Sequence, residues 1–236
     1  MNSVPGDEEL PLVEHLKELR TRMAITAVPI IALTIIAFMF SGKLLQLIWK
    51  QTLPAVPLTI YSPMELILTQ LSLSLVCALF IGIPLMVYET FKFVAKGLYR
   101  KERQFFIKIV PFSFFLFSIG AAIAYFVAVP LVFKYTILYS TDVAIPQISV
   151  SRSFSSIIAL VLGFGIIFQF PLLLIFALKM GLLKRETLKK QRMIVYGALF
   201  AFALFIIPDP SGIAELMLAV SLVILFEFSL IAARFF

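Results

Sequence analysis

The chain has 236 residues, of which 61% are hydrophobic and only 14% are charged, and its formal net charge is +7. A soluble domain carries about a quarter charged residues, so this composition excludes an ordinary soluble protein and indicates a polytopic membrane protein. His15 and Cys77 are the only residues of their types, which are too few for a zinc site or a bis-histidine haem. We also find no phosphate loop, zinc-protease helix or serine-hydrolase elbow. We therefore expect neither an enzyme nor a cofactor.

The apolar runs are close to the length of a membrane span and lack strand-like alternation, so they predict helices and not a barrel. The expected fold class is all-α, with six transmembrane helices, an N-terminal cytoplasmic amphipathic helix and an extracytoplasmic cap. We predict a mobile tail over residues 1–10 and a single transmembrane domain over 11–236. The predicted spans are about 23–40, 65–88, 105–129, 151–178, 193–207 and 213–233.

The segment PLVEHLKELRTR at 11–22 precedes the first span and is predicted to be helical. Leu16, Leu19 and Met23 recur at helical spacing and define an apolar stripe. Glu18 and Arg22 stand at i and i+4, in the order that stabilises a helix. Two interpretations remain open. The pair braces the helix, or the helix belongs to a recognition surface at the membrane face.

The distribution of basic residues predicts the orientation. Under six spans, 16 of the 20 lysines and arginines fall on the side of the termini, many of them in two loops at 89–104 and 179–192. The positive-inside rule then places both termini in the cytoplasm. The net charge is explained by this topology and by anionic lipid, so nucleic acid is not an expected partner. The connection at 41–64, with three prolines, is expected to form the cap on the far side.

Polar residues inside apolar runs are candidates for function, because ionisable groups are costly in the membrane. Glu65, Glu215 and Asp209 fall near the outer ends of spans, where a solvated helix end is the simpler interpretation. Glu227 lies deeper and must pair, snorkel or be protonated. Gln169 lies near the middle of the membrane and needs a hydrogen-bonding partner. That partner is a neighbouring helix of this chain or a second protein.

Two carboxylates on the cytoplasmic side suggest a binding site. Glu18 lies in the N-terminal helix, and Glu102 lies in the first basic loop among Arg100, Lys101 and Arg103. One interpretation is that these bases neutralise Glu102 locally. If the loop meets the helix, the two acids form acceptors for adjacent guanidinium groups. Arginine presents a planar fork to a carboxylate that lysine cannot reproduce.

Five segments, in chain order, resemble the TatC family, a subunit of the twin-arginine protein translocase. They are HLKELRTR at 15–22, GLYRKERQ at 97–104, FGIIFQFP at 164–171, IIPDP at 206–210 and LFEFSLIAARF at 225–235. Together they extend the resemblance over about residues 11–236. The family commonly has glutamate where this chain has Gln169, so no titratable role is expected at that position.

The resemblance implies a receptor in the cytoplasmic membrane that binds the twin-arginine signal peptides of folded proteins. It further implies that the receptor recruits single-span subunits of the TatA or TatB type and forms an oligomeric complex in the lipid bilayer. The signal-binding residues that it implies are Glu18, Leu19, Arg20, Phe93, Lys101 and Glu102. The residues expected to serve partner contact and transport are Gln169, Asp209 and Glu227.

Two other function classes are compatible with the composition. A proton- or ion-coupled solute carrier would also contain intramembrane acids, but it should show internal repeats, and no repeat between the two halves is visible. A non-catalytic scaffold for other membrane proteins would bind partners but no signal peptide. Only the paired loop carboxylates argue against the scaffold.

Overall fold

The computed structural model describes residues 12–52, 58–94, 100–141, 148–179, 181–206 and 212–233. Within these ranges the backbone is helical except for turns and one pair of two-residue strands, so the all-α class is confirmed. The helices are α1 (Leu12–Thr52), α2 (Pro63–Val94), α3 (Arg100–Ile123), α4 (Val129–Thr141), α5 (Val150–Ile167), α6 (Phe170–Lys179), α7 (Arg185–Lys190), α8 (Arg192–Ile206) and α9 (Ile213–Ala232). Strands β1 (Leu58–Thr59) and β2 (Ile148–Ser149) pair in parallel.

Helix α1 joins the predicted amphipathic helix to the first span without a break and continues past the predicted end at residue 40 to Thr52. The extension has a local cause. Residues 41–52 contain one glycine and no proline, and the Ser41 hydroxyl donates to the Phe38 carbonyl at 2.7 Å, inside the helix. The first proline after this stretch is Pro54, and helices usually end before a proline.

The predicted fourth span, 151–178, is two helices and not one. Helix α5 ends at Ile167 and α6 begins at Phe170, with Gln169 in the intervening turn. The Gln169 amide donates to the Ile166 carbonyl three residues back, and the Gln169 carbonyl accepts from Leu172 at 3.0 Å. The cause is Pro171, which has no amide hydrogen and clashes with the preceding turn.

The helical segment after the first basic loop runs beyond the predicted end of span three at residue 129. Helix α3 passes into a π-helical turn at Ala124–Ala128 and then into α4, which ends at Thr141. The Val129 amide donates to the Ala124 carbonyl, the wider bond that defines this turn. Such turns accommodate an extra residue within a helix.

The described residues form two compact units. One comprises the part of α1 up to Gln46 together with Gln70–Phe115, and its interior contains Leu73, Ala78 and Ile83. Phe80 and Phe114 pack edge to face in this unit, with ring centroids 5.7 Å apart. Aromatic pairs prefer this geometry because the positive ring edge meets the negative face.

The other unit comprises Leu47–Thr69 and the chain from Leu116 onward. Its core is made by α5 and α9, with Phe154, Phe164, Phe226 and Leu222 fully buried. Helix α9 packs against both α6 and α8. In lipid, close packing is what holds helices together, because lipid tails are as apolar as the side chains.

Within the described residues, five helical segments are long and apolar enough to cross a membrane. They are Leu16–Thr52, Pro63–Thr90, Pro111–Thr136, Val150–Lys179 and Ile213–Ala232, and Arg192–Ile206 is a shorter apolar helix. Large apolar side chains are exposed along these segments, among them Met39 and Phe205. A surface of this kind suits lipid and not water, so the chain is a multi-pass membrane protein.

Candidate functional site

A cluster of three charged side chains in the described residues is centred on Arg22. Its Nε and Nη2 atoms both donate to Oε1 of Glu18, at 2.9 and 2.5 Å. Its Nη1 atom donates to Oε2 of Glu89 at 2.8 Å. We call Glu18, Arg22 and Glu89 the Arg22 cluster.

The Arg22 cluster is largely shielded from water. The side-chain exposure is 13% for Arg22, 14% for Glu18 and 8% for Glu89. Because water screens little at such exposure, these charge-assisted hydrogen bonds are stronger than those of a surface pair. Removing one member would leave a buried charge with fewer partners, which costs more than losing an exposed pair.

Helix geometry explains half of the Arg22 cluster, and tertiary packing explains the rest. Glu18 and Arg22 are one turn apart on α1, and the predicted i,i+4 pair is present. Glu89, near the end of α2, was not predicted as a partner. Its position as the first residue of the predicted basic loop was the available signal, but a contact across 67 residues has no local pattern.

The other residues of the implied signal site have different environments. Leu19 is 37% exposed, Arg20 is exposed and Phe93 is half-buried. Lys101 and Glu102 lie in the first turn of α3, and their side chains are outside the part of the chain that the structure describes. The expected meeting of Glu18 and Glu102 therefore remains a prediction.

The C-terminal end of α2, where Glu89 lies, also presents a cation to an aromatic ring. The Nζ atom of Lys92 lies 5.7 Å from the centre of the Tyr88 ring. This distance is within the range of a cation–π interaction. Lys92 directly precedes Phe93, so the contact constrains the helix next to an implied site residue.

Gln169 occupies the turn that separates α5 from α6 and is half-buried. Its carbonyl accepts from the amides of Leu172 and Leu173, at 3.0 and 3.2 Å, and so starts α6. The backbone of Gln169 therefore closes the break between the two helices.

Glu227 is paired inside its own helical hairpin. The Tyr196 hydroxyl donates to Oε1 at 2.6 Å, and Nη2 of Arg192 lies 3.2 Å from Oε2. Both partners are on α8, whereas Glu227 is on α9. Of the three possibilities expected for this acid, pairing is the one realised. Asp209 lies outside the described residues.

Glu65 lies in the first turn of α2, at the helix end that the sequence suggested, and is half-exposed. Its carboxylate accepts from the Ser149 hydroxyl and from the amides of Ser151 and Tyr61, the latter two at 2.9 Å. Ser149 is itself the residue that caps the start of α5. The bonds tie the start of α2 to the start of α5, next to the β1–β2 pair.

Among the described residues, no group of three or more histidine, cysteine, aspartate or glutamate side chains could hold a metal ion. The polar groups described above include the carboxylates and guanidinium group of the Arg22 cluster and the carboxamide of Gln169, which can form hydrogen bonds and ion pairs. The Glu18 carboxylate, which is largely shielded from water, already binds a guanidinium. The geometry of such a contact suits arginine better than lysine.

Comparison with known proteins gives consistent matches along almost the whole chain. The profile of the family described as "Sec-independent protein translocase protein (TatC)" matches residues 14–220. A TatC protein of Methanocella arvoryzae is 43% identical over 98% of this chain and 96% of its own length. The TatC protein of Aquifex aeolicus is 31% identical, with 95% of each chain covered.

Solved structures agree with these sequence matches. A crystal structure described as the twin arginine translocase receptor TatC in DDM superposes with a TM-score of 0.79 and 30% identity. The match covers 93% of this chain and 99% of that one. By profile, sequence and structure, the chain belongs to the TatC family, the non-catalytic membrane subunits of the Sec-independent protein translocase.

Proposed function

We propose that this chain is the signal-peptide receptor of a twin-arginine translocase. The paired arginines of the signal bind at Glu18 and Glu102 on the cytoplasmic face. Leu19, Arg20, Phe93 and Lys101 line the path of the peptide around them. The solved TatC structures are described as translocase receptors, which supports this role.

The observation that carries the proposal is the guanidinium held in the Arg22 cluster. Glu18 accepts two hydrogen bonds from Arg22, so its carboxylate is placed and oriented for a planar guanidinium. A compact ammonium has no matching fork, so arginine should be favoured over lysine at this position. Selectivity must arise from this local geometry because the surrounding loops are basic and repel a basic peptide.

We further propose six spans in the cytoplasmic membrane, with both termini in the cytoplasm. The fifth span in this arrangement is α8, which is short but apolar over Arg192–Ile206. The asymmetry of 16 against 4 basic residues supports the orientation. The region around β1 and β2 would then form the extracytoplasmic cap.

Recruitment of single-span TatA or TatB-type subunits to an oligomeric complex completes the proposal. Gln169 is the candidate contact because its carboxamide lies at a helix break inside an apolar segment. Asp209 and Glu227 are proposed to support transport. The pairing of Glu227 within the α8–α9 hairpin suits a role in holding that hairpin together.

The test is direct crosslinking of peptide to the chain in nanodiscs. A photoreactive signal peptide with two arginines is compared with one in which both are lysine, and the crosslinked residues are identified by mass spectrometry. We expect the arginine peptide to crosslink near Glu18 and Glu102, and the lysine peptide to lose most of that signal. Equal crosslinking of both peptides, or crosslinks only elsewhere, would contradict the proposed receptor role.

A further inference from the structure

The Arg22 cluster contains an arginine of the chain itself at the acid proposed to receive a signal arginine. Arg22 uses two of its nitrogens on one oxygen of Glu18 and a third on Glu89. All three side chains are at most 14% exposed, so the contact is a built part of the fold. An incoming guanidinium at that oxygen would compete with one that is already present.

We propose that Arg22 is a resident competitor, and that signal binding is an exchange in which a peptide arginine takes over Glu18 while Arg22 stays on Glu89. This inference rests on the proposed receptor function and adds the specificity-determining roles of Arg22 and Glu89. The ligand remains a peptide with paired guanidinium groups.

Glu89 makes such an exchange feasible. A largely buried guanidinium that lost its only carboxylate would be left uncompensated, which is costly. Arg22 is instead held by two carboxylates on two helices, α1 and α2, so releasing Glu18 leaves it paired through Nη1. The carboxylate of Glu89 thus lowers the cost of displacement.

The resident guanidinium also raises the threshold for binding. A ligand must replace two charge-assisted hydrogen bonds to Glu18 Oε1 in order to displace Arg22. A peptide arginine presents the same fork and can do so, whereas a lysine offers a compact ammonium with different geometry. Rejection of lysine thus comes from the competitor as well as from the acceptor.

The experiment measures the affinity of arginine-pair and lysine-pair signal peptides for the full chain in nanodiscs. Arg22→Lys keeps the charge and weakens the competitor, and Arg22→Gln removes it. We expect each variant to bind the arginine peptide several-fold more tightly, on the order of tenfold for Arg22→Gln, with a larger gain for the lysine peptide. The matched control is Lys17→Gln, an exposed basic residue of the same helix, which should change neither affinity.

Glu89→Gln provides the second arm. Arg22 then has Glu18 as its only carboxylate in the cluster, so displacement is harder and the arginine peptide should bind several-fold more weakly. In the Arg22→Gln background, Glu89→Gln should not change the affinity for the arginine peptide, because no Arg22 side chain remains for Glu89 to hold. Arg22→Lys secures the test if the glutamine variants fold poorly, since it preserves the charge of the cluster.

The outcomes separate this inference from the proposed function. If Arg22→Lys and Arg22→Gln bind the arginine peptide more weakly than wild type or equally well, Arg22 only positions Glu18 and the exchange is wrong. Glu18→Gln and Glu102→Gln are measured in parallel. If both of those leave affinity unchanged, the proposed signal site itself fails, whatever the Arg22 variants do.

Discussion

Three acidic side chains near the ends of apolar helices accept hydrogen bonds from nearby donors. Glu65 accepts from two amides and a hydroxyl, Glu89 accepts from Arg22, and Glu227 accepts from Tyr196. An intramembrane carboxylate without such donors would be neutralised or expelled to the interface. The pairing therefore explains how an apolar chain retains these acids.

Gln169 leads to a prediction about partner contact. A carboxamide within an apolar segment needs hydrogen-bonding partners, and we expect a polar residue on a partner helix to be one of them, at about 1 to 2 kcal/mol. Gln169→Leu should keep signal-peptide affinity but lose partner association and transport, whereas Gln169→Glu should stay active. Disulfide crosslinking to the partner checks this. Normal crosslinking of the leucine variant would make Gln169 an internal tie of the bundle.

Helix packing sets a stability prediction at Gly120 of α3. A Cβ there would lie 2.7 Å from the Phe164 carbonyl oxygen and 2.8 Å from the Phe168 ring, closer than real Cβ atoms approach. Because a backbone oxygen cannot move cheaply, Gly120→Ala should destabilise the fold by about 1 to 3 kcal/mol. Chemical denaturation in detergent measures the loss. The matched control is Gly197→Ala in α8, where a Cβ meets nothing within 4 Å and stability should not fall, since alanine favours a helix over glycine.

The short length of α8 leads to a prediction about the thickness of the bilayer beside it. Helix α8 has 15 residues, about 22 Å, against a hydrocarbon core of about 30 Å. We expect the bilayer to be thinned beside α8 and α9, which lowers the barrier to opening the membrane for folded cargo. Inserting four leucines into α8 should impair transport while signal binding persists. As a control for added leucine, four exposed α8 residues are changed to leucine without a change in helix length. Undiminished transport by the insertion variant would refute the thinning.

The orientation of the whole molecule can be tested with single cysteines. In a Cys77→Ser background, new cysteines at Lys17 and Lys189 should react with an impermeant maleimide only from the cytoplasmic side. Cysteines at Tyr61 and Arg152 should react only from the outer side, and all four positions are exposed. The expected pattern follows from the bias of basic residues. If Lys17→Cys and Tyr61→Cys were both labelled from the same side of the membrane, the six-span arrangement would be contradicted.

The sequence predicted the helices best where hydropathy and turn residues coincide. Helix α9, Ile213–Ala232, begins right after Gly212, whose positive φ of 68° suits glycine, and the apolar run sets its length. Helix α1 was predicted too short because Ser41 and Lys43 suggest a connection, although no proline lies between Ser41 and Pro54. Polar residues alone do not end a helix.

The candidate site was predictable only where its contacts are local. The Glu18–Arg22 pair follows from i,i+4 spacing, whereas the helix break at Gln169 was not predicted within the span 151–178, although Pro171 was the local signal for it. Glu89 could not be assigned to Arg22 because the contact depends on how α1 packs against α2. Periodicity places a residue on a face of its own helix, but it does not identify the side chain opposite.

Recognition of paired arginines by Glu18 and Glu102 is the central claim. The most direct test measures the affinity of a twin-arginine signal peptide for Glu18→Gln and Glu102→Gln in nanodiscs, with Lys17→Gln as the control. We predict that each acidic variant loses about 2 kcal/mol or more, because partly desolvated charge pairs are lost, against under about 1 kcal/mol for exposed pairs. Unchanged affinity in both acidic variants would contradict the claim.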